Sequence, residues 1–382
     1  MRLPITIPIP IPIPIPIQRL ALLVFAVLAT TAHGQTAALR VEVVASGLQN
    51  PWGVAFIDGG RFLVTERPGR MRVVAADGRL GEPLAGLPEV DAGGQGGLLD
   101  VITDSGFARN RTVYFCYAEP GAGGNSTALA SARLSTDSTR LEAVKVIFSQ
   151  APKFSSRAHF GCRIVETPDG LLFLTLGDRF SRKDDAQTLD NHHGKVVRIA
   201  KDGSVPPGNP FVGRAGAKPE IWSLGHRNLQ GAALGPDGRL WTSEHGPQGG
   251  DEINRPEAGK NYGWPVITYG ENYGGGAIGE GITAKAGLEQ PVFQWTPSIA
   301  PSGLAFVKGE RYGKAWQGNL LAGSLKFRYL ARLEVSGGRV VKEERLLPDL
   351  NARVRDVREG PDGFIYLLTD ERNGRLLRLL PG

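Results

Sequence analysis

Cysteine and methionine are scarce in this chain of 382 residues, with two of each, and histidine numbers six. Two cysteines, Cys116 and Cys162, exclude a fold that depends on a disulfide framework, and sequence alone leaves open whether they pair. Two methionines exclude a promiscuous, methionine-lined binding surface. No stretch carries a sustained helical period capped at both ends. Blocks of lysine and arginine interleaved with aromatics are missing too, and the formal charge of +6 is a mild excess for this size, so no nucleic-acid partner is expected. Gly-x-Gly-x-x-Gly after a strand, a phosphate-binding loop and a Gly-x-Ser-x-Gly elbow are all absent, which removes the usual supports of nicotinamide and serine-hydrolase chemistry.

Long apolar runs are also lacking. The longest candidate, residues 20–28, follows Arg19 and leads to Ala32-His33-Gly34, and it is short for a membrane span. A basic residue, a brief apolar stretch and a small-residue exit read as a secretory signal over residues 1–34, with an uncleaved anchor as the other reading. Residues 4–17 are a nearly strict Ile-Pro alternation, which lacks the amide donors of a helix or central strand. Cleavage removes Arg2 and Arg19 and no acid, leaving +4. The expected product is a periplasmic or secreted domain over residues 35–382 with no membrane span.

What is abundant is turn chemistry: 52 glycines and 27 prolines. A turn rich in Asp and Gly leads repeatedly into a short β-rich run. Asp58-Gly59-Gly60 precedes Arg61-Phe62-Leu63-Val64, and Asn110-Arg111 precedes Thr112-Val113-Tyr114-Phe115. Pro168-Asp169-Gly170, Pro236-Asp237-Gly238, Gln317-Gly318-Asn319 and Pro361-Asp362-Gly363 open four more units. The units lie roughly 45 to 80 residues apart, near the spacing of propeller blades with insertions. The repeat predicts an all-β, six-bladed β-propeller, since a two-sheet sandwich would be overfilled. The longest interruptions are residues 178–220 and 244–300, where loops of such length in a compact domain are functional or disordered. The aromatics in the second, Tyr262, Trp264, Tyr269 and Trp295, favour order.

Three constellations can carry chemistry. His159, just ahead of the third unit and beside Arg163, suits proton abstraction from a hydroxyl, the alternative being a hydrogen-bonded loop histidine. His192 and His193 are adjacent, so their side chains point apart and do not build a metal site. Arg227, Lys326, Arg353 and Arg355 form a cationic set, and the period-two pair Arg353 and Arg355 faces one side of an extended strand. Two arginines on one side need an anion or acid between them, and guanidinium suits carboxylates; a solvated strand face is the alternative. The stretch from Ser243 to Glu252 combines backbone-exposing Gly and Pro with Glu and Asp, the hard oxygen ligands calcium takes, although from these residues alone an acidic turn without metal is the preferred reading.

Six segments in order resemble the soluble aldose dehydrogenases of the quinoprotein glucose/sorbosone dehydrogenase family. They are Gly47-Leu48-Gln49-Asn50-Pro51-Trp52-Gly53, Gly94-Gln95-Gly96-Gly97-Leu98-Leu99-Asp100, the stretch from His159 to Arg163, Gly225-His226-Arg227-Asn228, Glu244-His245-Gly246-Pro247, and Arg353-Val354-Arg355-Asp356. The resemblance implies a six-bladed propeller that binds pyrroloquinoline quinone (PQQ) and calcium at one end of the ring. It implies that Arg227, Lys326, Arg353 and Arg355 neutralise the carboxylates of PQQ, with polar contacts from Gln95 and Asn228. Carbonyls of Gly246 and Pro247 would hold the calcium, and Glu252 with the Tyr262 carbonyl would hold a second, structural calcium. His159 would be the general base that takes the anomeric proton of an aldose, giving a lactone, with electrons leaving to an external acceptor. Three positions depart from the family pattern. Cys162 stands where many relatives carry Gly or Ser, Ala158 where some glucose dehydrogenases place an acid, and Arg179 where those enzymes carry a cofactor-contacting glutamine. A calcium-dependent propeller lactonase and a non-catalytic binding propeller are the competing classes.

Overall fold

The computed structural model describes residues 39–382, and the expected signal segment with its Ile-Pro tract lies outside them. The chain folds into six four-stranded sheets. The innermost strands of blades I to VI are Pro51–Ile57, Leu98–Thr103, Gly161–Glu166, Leu229–Leu234, Pro301–Phe306 and Val354–Glu359. Each packs on the next around the ring, and the first meets the last, which makes a six-bladed β-propeller. Blade VI takes its outer strand, Arg40–Leu48, from the beginning of the domain, antiparallel to Gly374–Leu380. The ring is thereby closed by sheet hydrogen bonds between the two ends of the chain.

Each predicted Asp/Gly turn precedes the second strand of a blade. Asp58–Gly60 links Pro51–Ile57 to Arg61–Glu66, and Pro168-Asp169-Gly170 links Gly161–Glu166 to Leu171–Leu176. Gly170 has φ +80°, a left-handed conformation that glycine tolerates without Cβ strain. The second strands read as continuous apolar runs because both of their faces are buried. In Thr112–Gly121, Tyr114, Cys116 and Ala118 pack toward blade III, while Val113, Phe115 and Tyr117 pack toward blade I. A fully buried large apolar side chain contributes about 1.5–3 kcal/mol, so the stability of the ring resides in these inter-blade seams.

The two predicted long interruptions contain structure of their own. Residues 178–220 hold the strand Lys195–Ala200, and residues 244–300 hold Asp251–Asn254 and Phe293–Trp295. Asp251–Asn254 and Phe293–Trp295, strands of four and three residues in the outer half of blade IV, are too short to display an alternating pattern and were illegible as such.

Where the innermost strand of each blade begins, its pairing with the second strand shifts register, between Pro51 and Val54, Leu98 and Val101, Gly161 and Ile164, Leu229 and Gly231, Pro301 and Leu304, and Val354 and Asp356. Bulges re-aim side chains. Here they turn Asp100, Arg163 and Asp356 into the central channel, where Arg358 joins them. Arg163 Nη1 lies 3.1 Å from Asp100 and 3.0 Å from Asp356, and Arg358 bonds the same two carboxylates at 2.7 and 3.0 Å. This ion-paired quartet, buried but for Arg358, fills the channel below the open end where the site lies.

Candidate active site

The site is assembled from the open ends of the inner hairpins. Past the last ladder pair of each blade the two strands continue for one or two residues, bringing matched positions together. In blade VI, Asp370 donates its N–H to the Arg353 carbonyl at 2.8 Å; in blade IV, His245 donates to Asn228 at 3.1 Å; in blade V, Lys326 donates to Ile299 at 3.1 Å. These ends surround a cavity of about 650 Å3. Gln95, Asn228, Lys326, Arg353 and Arg355 line it, together with Trp52, Gln230, His245 and Asp370. The structure thus gathers five of the six residues expected to touch the cofactor around one opening.

Arg227 is the sixth. Its guanidinium donates to the carbonyls of His245 and Gly246 at 3.0 and 2.7 Å, directly behind the cavity wall. Lys326 also borders a neighbouring cavity of about 570 Å3 lined by Pro247, Gln248 and Tyr273. The Gly246–Pro247 turn and the cationic set therefore meet at Lys326.

Arg353 and Arg355 do face one side, and an acid does sit between them. Asp370 Oδ2 receives both guanidinium groups, at 3.2 and 2.7 Å. Burial would raise this carboxyl, but Arg355 and Arg353 outweigh it and hold Asp370 well below the usual carboxylate range. One acid against Arg353, Arg355 and Lys326 leaves the wall cationic. The buried Nε atoms of Arg355 and Arg227 have no hydrogen-bond partner.

His159 is buried at the open end of blade III. Its Nδ1 lies 2.6 Å from Asp178 Oδ1. Asp178 also accepts the Phe180 N–H on Oδ1 and the Trp264 indole N–H on Oδ2, both at 2.8 Å. Both carboxylate oxygens are accepting, so Nδ1 of His159 carries the proton and Nε2 presents its lone pair. Burial pushes this imidazole below the ordinary histidine value, the Asp178 contact restores part of it, and Arg227 and Arg179 lower it again. The histidine is thus a neutral base at pH 7. The acid that Ala158 does not supply comes from Asp178, across the hairpin.

Arg179 does not line the cavity. It is buried over the Phe160 ring, 3.7 Å from its centroid, and donates to the carbonyls of His159 and Ser156 at 3.3 and 2.8 Å and to Asn125. Asp178 and Asp370 were both missed in the sequence, because only the hairpin register brings them in. Pairing of Gly161 with Leu176 places 159 opposite 178, and pairing of Val354 with Thr369 places 353 opposite 370.

Glu252 and Tyr262 lie apart from the cavity. Glu252 and Glu244 share the Nδ2 donor of Asn254, at 2.9 Å each, and Glu244 accepts from His226, on which Tyr262 stacks at 4.8 Å. Burial and the Glu244 charge push Glu252 up to about 8. Asn254 Oδ1 is buried without a partner. Among the described residues, no group of three or more His, Cys, Asp or Glu side chains is placed to hold a metal ion, so any cation here must also draw on amide or backbone oxygens.

The model of the Glucose / Sorbosone dehydrogenase family matches residues 48–378. The chain belongs to the glucose/sorbosone dehydrogenase family. It is a sugar dehydrogenase, an oxidoreductase, and the family match spans every residue of the cavity wall. The chain is 45% identical over 349 residues to aldose sugar dehydrogenase YliI of Escherichia coli, covering 90% of this chain and 94% of that one. It superimposes on the crystal structure of the soluble aldose sugar dehydrogenase of E. coli with a TM-score of 0.87 at 44% identity, covering 90% of this chain and 100% of that one. The PQQ-bound aldose sugar dehydrogenase of Streptomyces coelicolor superimposes with a TM-score of 0.73 at 30% identity, over 90% and 98% of the two chains.

Proposed function

We propose that this dehydrogenase oxidises aldoses at the anomeric carbon to lactones, using PQQ and calcium, and passes the electrons to an external acceptor. The observation that carries the reading is the cationic wall beside a neutral, acid-oriented histidine. A carboxylate-bearing cofactor fits that wall: it gives a partner to the stranded Nε donor of Arg355 and balances the excess of Lys326, Arg353 and Arg355 over Asp370, with Arg227 adding positive charge from behind. Gln95 Oε1 and Asn228 Oδ1 already accept backbone N–H groups, of His159 and Gly161, which leaves their amide nitrogens as donors. When bound, PQQ supplies the hydride acceptor.

His159 takes the anomeric hydroxyl proton at Nε2, and Asp178 stabilises the imidazolium that forms. The backbone carbonyls of Gly246 and Pro247 are the candidate ligands of the cofactor-linked calcium. The Gly246 carbonyl accepts from Arg227 and keeps a second lone pair. A structural calcium held by Glu252 and the Tyr262 carbonyl fits the paired buried carboxylates and the unpartnered Asn254 oxygen. A periplasmic or secreted location agrees with the Cys116–Cys162 disulfide, since such bonds persist in oxidising compartments. No described helix is long and apolar enough to cross a membrane.

The test is dye-linked oxidation of glucose and other aldoses by the purified protein, with PQQ and calcium added singly and together. Turnover that requires both is expected. Lactone hydrolysis without oxidation, or no turnover with both present, would overturn the reading.

A further inference from the structure

The segment that carries His159 is held in an unfavourable backbone conformation. His159, Gly161 and Cys162 have φ of 54°, 67° and 84°, a region natural to glycine and costly for the other two. Such residues persist where their surroundings over-determine them. Here every residue of the strap is tied to an element outside it. The His159 N–H donates to Gln95 Oε1 at 2.8 Å, and its carbonyl accepts from Arg179 at 3.3 Å. The Phe160 carbonyl accepts from Thr127 Oγ1 at 2.6 Å, and the Gly161 N–H donates to Asn228 Oδ1 at 3.2 Å. Cys162 is bonded to Cys116 in the second strand of blade II, with 5.8 Å between Cα atoms. Gln95 and Asn228 line the cavity, so their side chains are shared with whatever binds there. The disulfide is fully buried in a cluster with Leu129, Ile164 and Leu174, does not line the cavity, and is the covalent member of the set.

We propose that the Cys116–Cys162 bridge is a positioning device for the catalytic base: it clamps the strap 159–162 to blade II, so that the His159 imidazole stays paired with Asp178 and shielded from water. The inference rests on His159 acting as the base. A bridge that served only as a staple between blades II and III would affect global unfolding and leave the chemistry of the imidazole untouched. Releasing the strap instead admits water to the ring and lets it drift from Asp178. A misplacement on the order of 1 Å costs up to about a hundredfold in rate.

The experiment compares the wild-type protein with a Cys116→Ala/Cys162→Ala variant, which leaves no hydroxyl stranded in an apolar core. Two readouts are taken: kcat and KM across pH with PQQ and calcium, and an NMR titration of the His159 ring without PQQ, assigned through His159→Gln. The expected variant keeps its circular dichroism and KM, loses about ten- to a hundredfold in kcat, and titrates His159 at higher pH, because relief of burial, the largest influence on this ring, outweighs the weakened Asp178 contact. Unchanged kcat together with an unchanged His159 titration overturns the proposal. A wild-type protein without PQQ-dependent turnover fails the functional reading instead, while the titration still decides whether the bridge shields the ring. Should the alanine pair not fold, Cys116→Ala/Cys162→Gly replaces it, because glycine suits the left-handed backbone at 162. Failure of both to fold would make the bridge a folding element and overturn its positioning role.

Discussion

At the scale of single residues the site separates into a base and a charge wall, and the two predict different losses. His159→Gln removes the proton acceptor and is expected to lower kcat by about 10²–10⁴-fold with PQQ affinity unchanged, checked by steady-state turnover and a cofactor titration. Because burial lowers the His159 pKa, the acid limb of kcat/KM is expected to have its midpoint below the ordinary histidine value of 6.5 and to be flat through neutral pH. Asp178→Asn removes a contact that raises that pKa, so the limb moves to still lower pH while kcat falls. A limb that moves upward would contradict the geometry. His159 could be singled out because histidine is scarce and Arg353 with Arg355 because they alternate, while Arg227 and Lys326 gained their meaning from the family resemblance. Asp178 and Asp370 could not, because an acid 15 or 19 positions away is unremarkable until the hairpin register is known.

At the scale of elements, the six turns before the second strands, four of them Asp-Gly, were legible because each needs residues that tolerate left-handed or tightly bent backbone. The outer strands were not, since half-exposed edges carry a broken pattern or are too short to carry one. The closing strand Arg40–Leu48, nine residues long, is of the first kind. It alternates exposed and buried positions only imperfectly, and its identity follows from pairing with Gly374–Leu380. Deleting residues 40–48 leaves the Gly374–Leu380 edge and the cluster around Ala45 and Leu48 uncovered. A thermal midpoint lowered by several degrees, with concentration-dependent aggregation, is expected in scanning calorimetry and light scattering. Glu42→Ala, which breaks only the half-exposed pair with Arg378 at 2.8 Å, should cost no more than about 1 kcal/mol.

At the scale of the whole molecule, burial has gathered histidines that resist charging. His159, His192, His193 and His245 are all lowered, in each case chiefly by burial, His245 to about 3. The unfolded chain takes up protons near pH 6.5 and the folded chain does not, so this stability is complete above that pH and is lost as pH falls. Each such group contributes up to about 1.4 kcal/mol per pH unit over the window. Asp251 and Glu252 are raised, chiefly by burial, and act in the opposite sense, two groups against four. The thermal midpoint is therefore expected to fall between pH 7 and pH 5 in scanning calorimetry; an unchanged or higher midpoint at pH 5 would contradict the balance.

The open end of this propeller is proposed to hold PQQ through its cationic wall, and a calorimetric titration of PQQ into the purified protein with calcium tests this. One equivalent should bind, more weakly as salt rises, and about ten- to a hundredfold more weakly in Arg355→Ala, the loss for a buried charge-assisted contact of about 1.5–3 kcal/mol. No binding, or binding that Arg355→Ala leaves unchanged, would contradict the account.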